Sequence, residues 1–549
     1  MGLTFNESQG TFILTTADGA AAEAAGLTLS TLIRGPKGEK VYYTADYEST
    51  GHKPVFNPYA ALPFWRQADE KALAKLRHLI DDYEASWAMD TDKDYPYPDA
   101  RRAEGKSYMP FQKAGIEYAL RRGNCLIGDE PGLGKTIQAI GIANACGAEK
   151  VLVLCPATIR KNWQREIHDW SVLPRLKTYP IYKSADGVSP VANYVICSYD
   201  LARNPNIHDA LYAIKWDMLI IDEAHYLKST DAIRTRAVFG GGARSSKFST
   251  HWLADRTDRI VGLTGTPLPN RPRECYTVAR ALNWESIDWA SYDSFLFRYN
   301  PSMQVSTGHT VEEKGRLPEL QARLRCNFMV RRMKKDVLPQ LPDKRYEMSY
   351  VEPNGAISEI LAREKLIDFD PMELFNPDFM LDGTPISTLR RLMGEAKIPR
   401  VVEHLKYLLD IVEIPKLVVF THHNSVMNAL LTAMAPYGTT CIRGGMSTLA
   451  KDANIQDFVN SDKRIFFGQL DTMEGIDGLQ RVCDHVVFAE PAWNPGRNEQ
   501  CVDRCHRIGQ HGNVLAQFLI VEGSLDEKVL HIVLGKAQAI HASLDKRFE

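Results

Sequence analysis

Short apolar runs recur along the chain from about residue 105 onward, each followed by a longer stretch of mixed polarity. NCLIG (124–128), VLVLCP (151–156), YVICS (194–198), MLIID (218–222) and IVGLTG (260–265) form one series. KLVVF (416–420), RIFFG (464–468), HVVFAE (485–490) and VLAQFLIV (514–521) form a second. Runs of this kind, separated by helical stretches, predict buried parallel strands with helices on both faces. Two series predict two such sheets and therefore two α/β lobes. Residues 1–100 differ. TFILTT (11–16) and KVYYTA (40–45) predict strands separated by an Ala-rich stretch and the turn signal GPKG. A helical pattern follows from about Asp69 to Trp87, and DTDKDYPYPDARRAEGK (90–106) predicts a linker. The expected domains are a small N-terminal accessory domain containing β-strands over 1–100 and a first lobe over 101–300. A helical insertion over 301–395 and a second lobe with a C-terminal helix over 396–549 complete them.

Composition narrows the class. The 549 residues are 44% hydrophobic and 24% charged, as in ordinary soluble domains. No apolar run approaches the roughly 18 residues of a membrane span, so no membrane partner is expected. MGLTFNESQG lacks the basic and apolar regions of a secretory signal. The ten cysteines include no CxxC pair, which predicts reduced thiols and a cytoplasmic protein if the source is prokaryotic, with a nuclear location left open. Cys501, Cys505 and His506 lack the second half of a metal-ligand set. With 66 basic and 68 acidic residues, the net charge of −2 gives no bulk attraction to nucleic acid. Any such site must be a local groove.

The candidate chemistry starts at GDEPGLGKT (128–136). Gly134, Lys135 and Thr136 fit a phosphate-binding loop, but Asp129 stands where the usual first glycine belongs. A predicted strand precedes the segment and a helix follows it, so backbone amides at the helix start would face anionic oxygens. A glycine-rich turn without a ligand is the alternative. Lys135 would reach the β and γ phosphates, and Thr136 would help hold Mg²⁺. MLIIDEAH ends a strand in Asp222 and Glu223, carboxylates suited to hold Mg²⁺ through water and to activate the attacking water. In QCVDRCHRIGQ (500–510), Arg504 and Arg507 would share one helix face. Such a pair is either a solvated face or a source of positive charge for a triphosphate.

GLGKT, DEAH, LTGTP and the R-x-x-R-I-G-Q segment, in this order, resemble superfamily-two helicases of the Swi/Snf-related branch. The branch commonly has DE-x-GLGKT, which accounts for Asp129; its usual Met is Pro131 here. SYMPFQKAGIEYAL (107–120), CPATIRKNWQREIHDW (155–170) and WNP (493–495) agree. RRMKKDVLPQLPDK (331–344) resembles the branch's signature between lobes, although a basic run is equally compatible with a solvated face. VVFTHHNSV and HVVFAEPAWNPG resemble HARP-type annealing helicases. His422 and His423 have no nearby carboxylate or cysteine in sequence to form a metal site, so a structural or backbone-contacting role is expected. TMEGIDGLQR (472–481) departs from the family's Gly-rich stretch, with Glu474 and Asp477 adding negative charge.

The resemblance implies two RecA-like lobes with ATP between them. It implies that Gln112 reads the adenine edge and that Gly132, Gly134, Gln138 and Gly475 line the nucleotide site. Lys135, Asp222, Glu223, Arg504 and Arg507 would carry catalysis, with Mg²⁺ near Thr136 and Asp222. Thr264 and Thr266 of LTGTP would couple nucleotide to DNA. The expected function is an ATP-dependent DNA translocase on duplex or forked DNA, contacting the backbone without sequence preference and annealing or remodelling strands. A nucleotide-gated remodeller or loader that displaces protein partners is the alternative.

Overall fold

The computed structural model describes residues 2–8, 11–16, 19–25, 27–34, 40–44, 57–96, 107–241, 251–268, 272–299, 302–304, 310–312, 316–365, 380–381, 384–473, 475–493, 495–531, 545 and 547–548. The chain divides into two compact units. One comprises Met1–Glu130, Gly134–Met333 and Ile540–Glu549; the other comprises Pro131–Leu133 and Lys334–Ala539. GPKG and most of the expected linker lie outside the described residues.

The first unit opens with an antiparallel sheet of β1 (Gly2–Asn6), β2 (Thr11–Thr16), β3 (Leu27–Arg34) and β4 (Lys40–Thr44), in the order β1-β2-β4-β3. Leu3, Phe12, Leu14 and Tyr42 pack with Ala72 and Leu76 of the helix Glu70–Ala85. Asp69 caps that helix by accepting the Ala72 amide at 2.8 Å, which satisfies one orphan donor of the first turn. The helix also reaches the larger part of the unit. Tyr83 and Trp87 pack with Ala322 and Cys326, and the Arg325 guanidinium lies 3.5 Å from the Trp87 ring centroid.

The larger part is a seven-stranded parallel sheet. It is built from β5 (Cys125–Ile127), β6 (Val151–Cys155), β7 (Thr178–Pro180), β8 (Tyr194–Ser198), β9 (Met218–Asp222), β10 (Ile260–Leu263) and a later strand, Met329–Val330. Two short strands, β11 (Ser302–Gln304) and β12 (Thr310–Glu312), pair apart from it, which makes Met329–Val330 β13. The order is β13-β5-β10-β9-β6-β8-β7. Strands β5, β6, β8, β9 and β10 are buried at every residue, which is why each reads as an unbroken apolar run.

The second unit has a six-stranded parallel sheet of order β14-β21-β20-β17-β19-β18. Its strands are β14 (Lys344–Tyr350), β17 (Leu417–Thr421), β18 (Thr439–Ile442), β19 (Ile465–Gln469), β20 (His485–Phe488) and β21 (Val514–Ile520). The pair β15 (Met380–Leu381) and β16 (Thr384–Pro385) stands apart. The stretch 301–395 is shared between the units. The helix Leu317–Asn327 and β13 belong to the first; β14 and the helices Gly355–Lys365 and Ile386–Asp410 belong to the second. The fold is thus α/β, with two parallel-sheet lobes carrying helical segments and a small N-terminal sheet. No described helix is long and apolar enough to cross a membrane. All ten cysteines are free, and Cys125, Cys155 and Cys197 are buried.

Candidate functional site

Strands β5, β10 and β9 are consecutive and parallel, with Leu263 level with Ile127 on one side and Asp222 on the other. GDEPGLGKT, LTGTP and DEAH follow these strands, so all three motifs emerge at one end of the sheet. Carboxyl ends of adjacent parallel strands are the usual place for a ligand in such a fold. Gly132 and Gly134 hold φ of 91° and 74°, left-handed values that side chains resist. The turn leads into the helix Lys135–Ala145; among the described residues, no side chain caps its first amides. An uncapped helix start beside a lysine suits an anion.

Lys135 Nζ donates to the Asp129 carbonyl oxygen at 2.9 Å. Desolvation lowers its pKa, while the charges of Glu223, Asp129 and Asp222 act in the opposite direction. Thr136 follows it in the helix's first turn. Gln112 accepts the Met109 amide at 3.0 Å and lies against the loop, since a Cβ on Gly134 would meet its Nε2 at 2.5 Å. Gln138 is buried beneath the loop and donates to Asp129 Oδ2 at 2.9 Å.

Asp222 accepts the Trp163 indole N–H at 2.7 Å on Oδ2 and the Glu223 amide at 2.9 Å on Oδ1. Burial, then the neighbouring Glu223 charge, pushes its pKa up to about 7, against the Trp163 hydrogen bond and the charge of Lys135. Glu223 has φ 53° and ψ 54°, a left-handed conformation that costs about 1–2 kcal/mol for a residue with a Cβ. Strain of this kind collects at functional sites. Glu223 Oε2 lies 3.3 Å from His225 Nδ1. The same nitrogen lies 3.2 Å from the Thr264 hydroxyl, which accepts the Thr266 amide at 3.1 Å. DEAH and LTGTP are therefore joined by a hydrogen-bonded path inside the first unit.

In the second unit the expected shared helical face is replaced by a tight turn. The helix Pro495–Val502 ends ahead of both arginines, and the chain turns with Arg504 N–H to Cys501 O at 3.1 Å and Cys505 N–H to Val502 O at 2.9 Å. The arginines still converge: Arg504 and Arg507 each donate to the Ile476 carbonyl, at 3.4 and 3.3 Å. Arg507 also pairs with Asp477 at 3.1 Å. Gly475 and Gly478 have φ of 73° and 108°, a backbone shape that favours glycine at both places. Glu474 lies outside the described residues.

The turn is held from beneath. Buried Asp503 takes Lys334 at 2.8 Å and Lys344 at 3.2 Å. Burial alone would raise its pKa, but the two lysines hold it well below the usual carboxylate range. Gln510 donates to the Cys483 and Cys505 carbonyls and accepts the His511 and Gly512 amides. A carboxylate distant in sequence lies beside His422 and His423. Glu490 accepts both backbone amides, at 2.8 and 2.9 Å, and lies 2.6 Å from His423 Nδ1. Parallel pairing of β17 with β20 brings together residues far apart in sequence. The contacts hold both backbone amides and the His423 ring.

Residues 66–360 match the SNF2-related domain, more than half of the 549-residue chain. The chain belongs to the SNF2-related family. Residues 400–509 match the helicase conserved C-terminal domain. Over 440 residues the chain is 31% identical to a Xenopus laevis SWI/SNF-related matrix-associated actin-dependent regulator of chromatin subfamily A-like protein 1, covering 79% of this chain and 43% of that protein. It is 31% identical over 472 residues to the Bos taurus DNA annealing helicase and endonuclease ZRANB3, covering 82% of this chain and 42% of that one. The chain thus spans under half the length of these relatives. A solved Sulfolobus solfataricus SWI2/SNF2 ATPase core in complex with dsDNA aligns at 21% identity and a TM-score of 0.38, over 80% of this chain and 93% of that one.

Seen as an SNF2-related lobe, the first unit contains site partners that motif spacing did not identify. Trp163 reads as core, because Trp163, Ile167 and Trp170 repeat at helical spacing. Its indole N–H nevertheless ends on Asp222. Arg331 and Arg332 of the basic run are buried, with relative exposures of 1% and 2%, so this part of the run is no solvated face. Arg331 donates to the carbonyls of Gly128 and Gly265 at 2.6 and 3.0 Å, tying the loop after β5 to the one after β10.

Proposed function

We propose that this SNF2-related chain is a DNA-dependent ATPase that translocates on duplex or forked DNA and anneals or remodels strands. The observation that carries the reading is the gathering of Lys135, Asp222 and Glu223 at one end of the β5-β10-β9 part of the sheet, with an uncapped helix start beside them. Lys135 neutralises the β and γ phosphates, and Gln112, Gly132, Gly134 and Thr136 shape the surrounding pocket. Glu223 orients the attacking water and takes its proton. Arg504 and Arg507 supply guanidinium charge to the transferring phosphoryl group, an effect typically worth about 10³ to 10⁵ in rate.

The donor set fits Mg²⁺, with Thr136 and Asp222 as its holders. Both Asp222 oxygens already accept protein hydrogen bonds, which favours contact through water. When bound, the cation would screen phosphate charge. DNA is proposed as the track because the relatives named above include an annealing helicase; backbone contacts give sequence-independent, salt-sensitive binding. Residues 1–100 are proposed to add DNA contacts, and a cytoplasmic location is proposed for a prokaryotic source.

The test is ATP hydrolysis on single-stranded, duplex and forked DNA. DNA stimulation lost in Lys135→Ala is the expected result, together with Arg504→Ala that keeps nucleotide binding but not turnover. Full DNA-stimulated hydrolysis by Lys135→Ala would refute the site. Stimulation by a protein partner and not by bare DNA would favour a remodeller that displaces proteins.

A further inference from the structure

Asp129 occupies the place where a phosphate-binding loop usually starts with glycine, and its carboxylate is buried with 0% exposure. Four donors fill it. Arg332 gives its backbone amide at 3.0 Å and Nε at 3.0 Å to Oδ1, and a terminal nitrogen at 2.8 Å to Oδ2. Gln138 adds its Nε2 to Oδ2 at 2.9 Å. A side-on guanidinium–carboxylate pair with every acceptor direction in use adds geometric specificity as well as energy.

The same guanidinium reaches two further elements. It donates to the Phe111 carbonyl, next to Gln112, and to Gln138 Oε1 at 2.9 Å. Gly115 makes room for this: a Cβ there would lie 2.1 Å from Gln138 Oε1 and 2.6 Å from an Arg332 nitrogen. Backbone pairing continues alongside, with the Gly128 amide on Val330 O at 2.7 Å and the Glu130 amide on Arg332 O at 3.0 Å. Asp129 in turn offers its carbonyl to Lys135. One residue past Arg332, at Met333, the first compact unit ends and the chain continues as the second.

We infer that Arg332 is a positioning residue for ATP turnover: it holds the first arm of the phosphate loop, through Asp129, against the segment that leaves the lobe. In most phosphate loops the leading glycine lets the backbone turn freely. Here a carboxylate replaces it and is pinned by an arginine 203 residues away, so the loop's entry and the exit segment move as one piece. Movement of Lys135 and its tether on nucleotide binding therefore acts directly on residues 330–332. This inference rests on the ATPase reading above.

Removing one partner leaves a buried, uncompensated charge, and Arg332→Met alone is expected to misfold. The informative variant is the double Asp129→Leu, Arg332→Met, in which a buried pair is exchanged for apolar side chains, a change often tolerated. The full chain is compared with this variant and with Arg332→Lys by thermal melting, by the melting shift with MgATP, and by steady-state ATP hydrolysis with duplex DNA. The double variant also leaves the Arg332 amide, the Phe111 carbonyl and the Gln138 side chain without these partners, so it is expected to melt cooperatively but below the parent, and to retain the MgATP shift. Its kcat is expected to fall by about 10- to 100-fold, the scale of a loop misplaced by a fraction of an ångström to one ångström. Arg332→Lys keeps the charge without the fork and should show the same fall. A double variant that melts cooperatively and keeps the parental kcat would overturn the inference and leave the pair as packing alone. A parent that binds MgATP but never hydrolyses it would instead refute the ATPase reading. Loss of both the MgATP shift and turnover in a double variant that melts normally would also overturn the inference, since the pair would then support binding and not positioning for turnover.

Discussion

Trp163→Phe isolates one hydrogen bond at the acidic pair. Trp163 is fully buried, and phenylalanine keeps most of its apolar packing while deleting the N–H that Asp222 Oδ2 accepts at 2.7 Å. A hydrogen bond to a charged acceptor contributes about 1.5–3 kcal/mol, and one to a neutral acceptor about 0.5–1.5. The difference of about 1–1.5 kcal/mol is roughly one pKa unit. Asp222, already raised to about 7 by burial and Glu223, should move upward by that unit. Its folded pKa lies above the unfolded value of about 3.9. Its favourable contribution is therefore complete below about pH 4 and is lost as pH rises through the folded pKa. In the variant this loss extends to higher pH, so the variant's deficit relative to the parent is larger at pH 8 than at pH 4. The smaller ring also leaves a cavity whose cost is independent of pH. Two assays read the effect: denaturant unfolding at both pH values, and the acidic limb of kcat/KM for ATP hydrolysis, which reports the free enzyme. A limb moved up by about one unit is expected. An unmoved limb with the same unfolding deficit at both pH values would show that Trp163 only packs.

Two further substitutions probe each unit separately. Asp477→Asn removes the partly exposed partner of Arg507; stability should change by no more than about 1 kcal/mol. Release of Arg507 should raise kcat for ATP hydrolysis, by up to about five-fold if the whole of that energy opposed the arginine's use. A loss of turnover would instead make Asp477 part of the working site. Gly115→Ala places a Cβ 2.1 Å from Gln138 Oε1, an overpacking that should cost about 1–3 kcal/mol in calorimetric or denaturant unfolding. Unchanged stability would mean that the Arg332 cluster relaxes freely.

The candidate site was legible where chemistry depends on local spacing. GLGKT and DEAH each bring their donors together within one turn, so Lys135, Thr136, Asp222 and Glu223 could be named from short segments. The partners that hold them could not. Trp163 lies 59 residues from Asp222, and Arg332 lies 203 from Asp129. A buried polar group needs a partner, but nothing in its own segment says which distant side chain will supply it. The arginine pair illustrates a middle case. Its convergence was readable, yet the helical face expected for it gave way to a turn in which both side chains meet at the Ile476 carbonyl.

The fold divides along the same line. Strands β5, β6, β8, β9 and β10, and later β17, β19, β20 and β21, lie inside their sheets. A strand covered on both faces must be apolar at nearly every position, so local composition alone identified them. Among the described residues, β7, β13, β14 and β18, which the sequence did not predict, are the edges of the two parallel sheets. β14, KRYEMSY, is largely exposed, β7 ends in a proline that an edge tolerates, and β13 has only two residues. Those segments become strands because a neighbour offers its hydrogen bonds, not because their own residues demand it. Thus the local sequence determined the sheet interiors and the local spacing of the GLGKT and DEAH side chains. Tertiary structure decided the edges, the strand order that brings three motifs to one end, and the Asp129–Arg332 pairing, since each depends on contacts between residues distant along the chain.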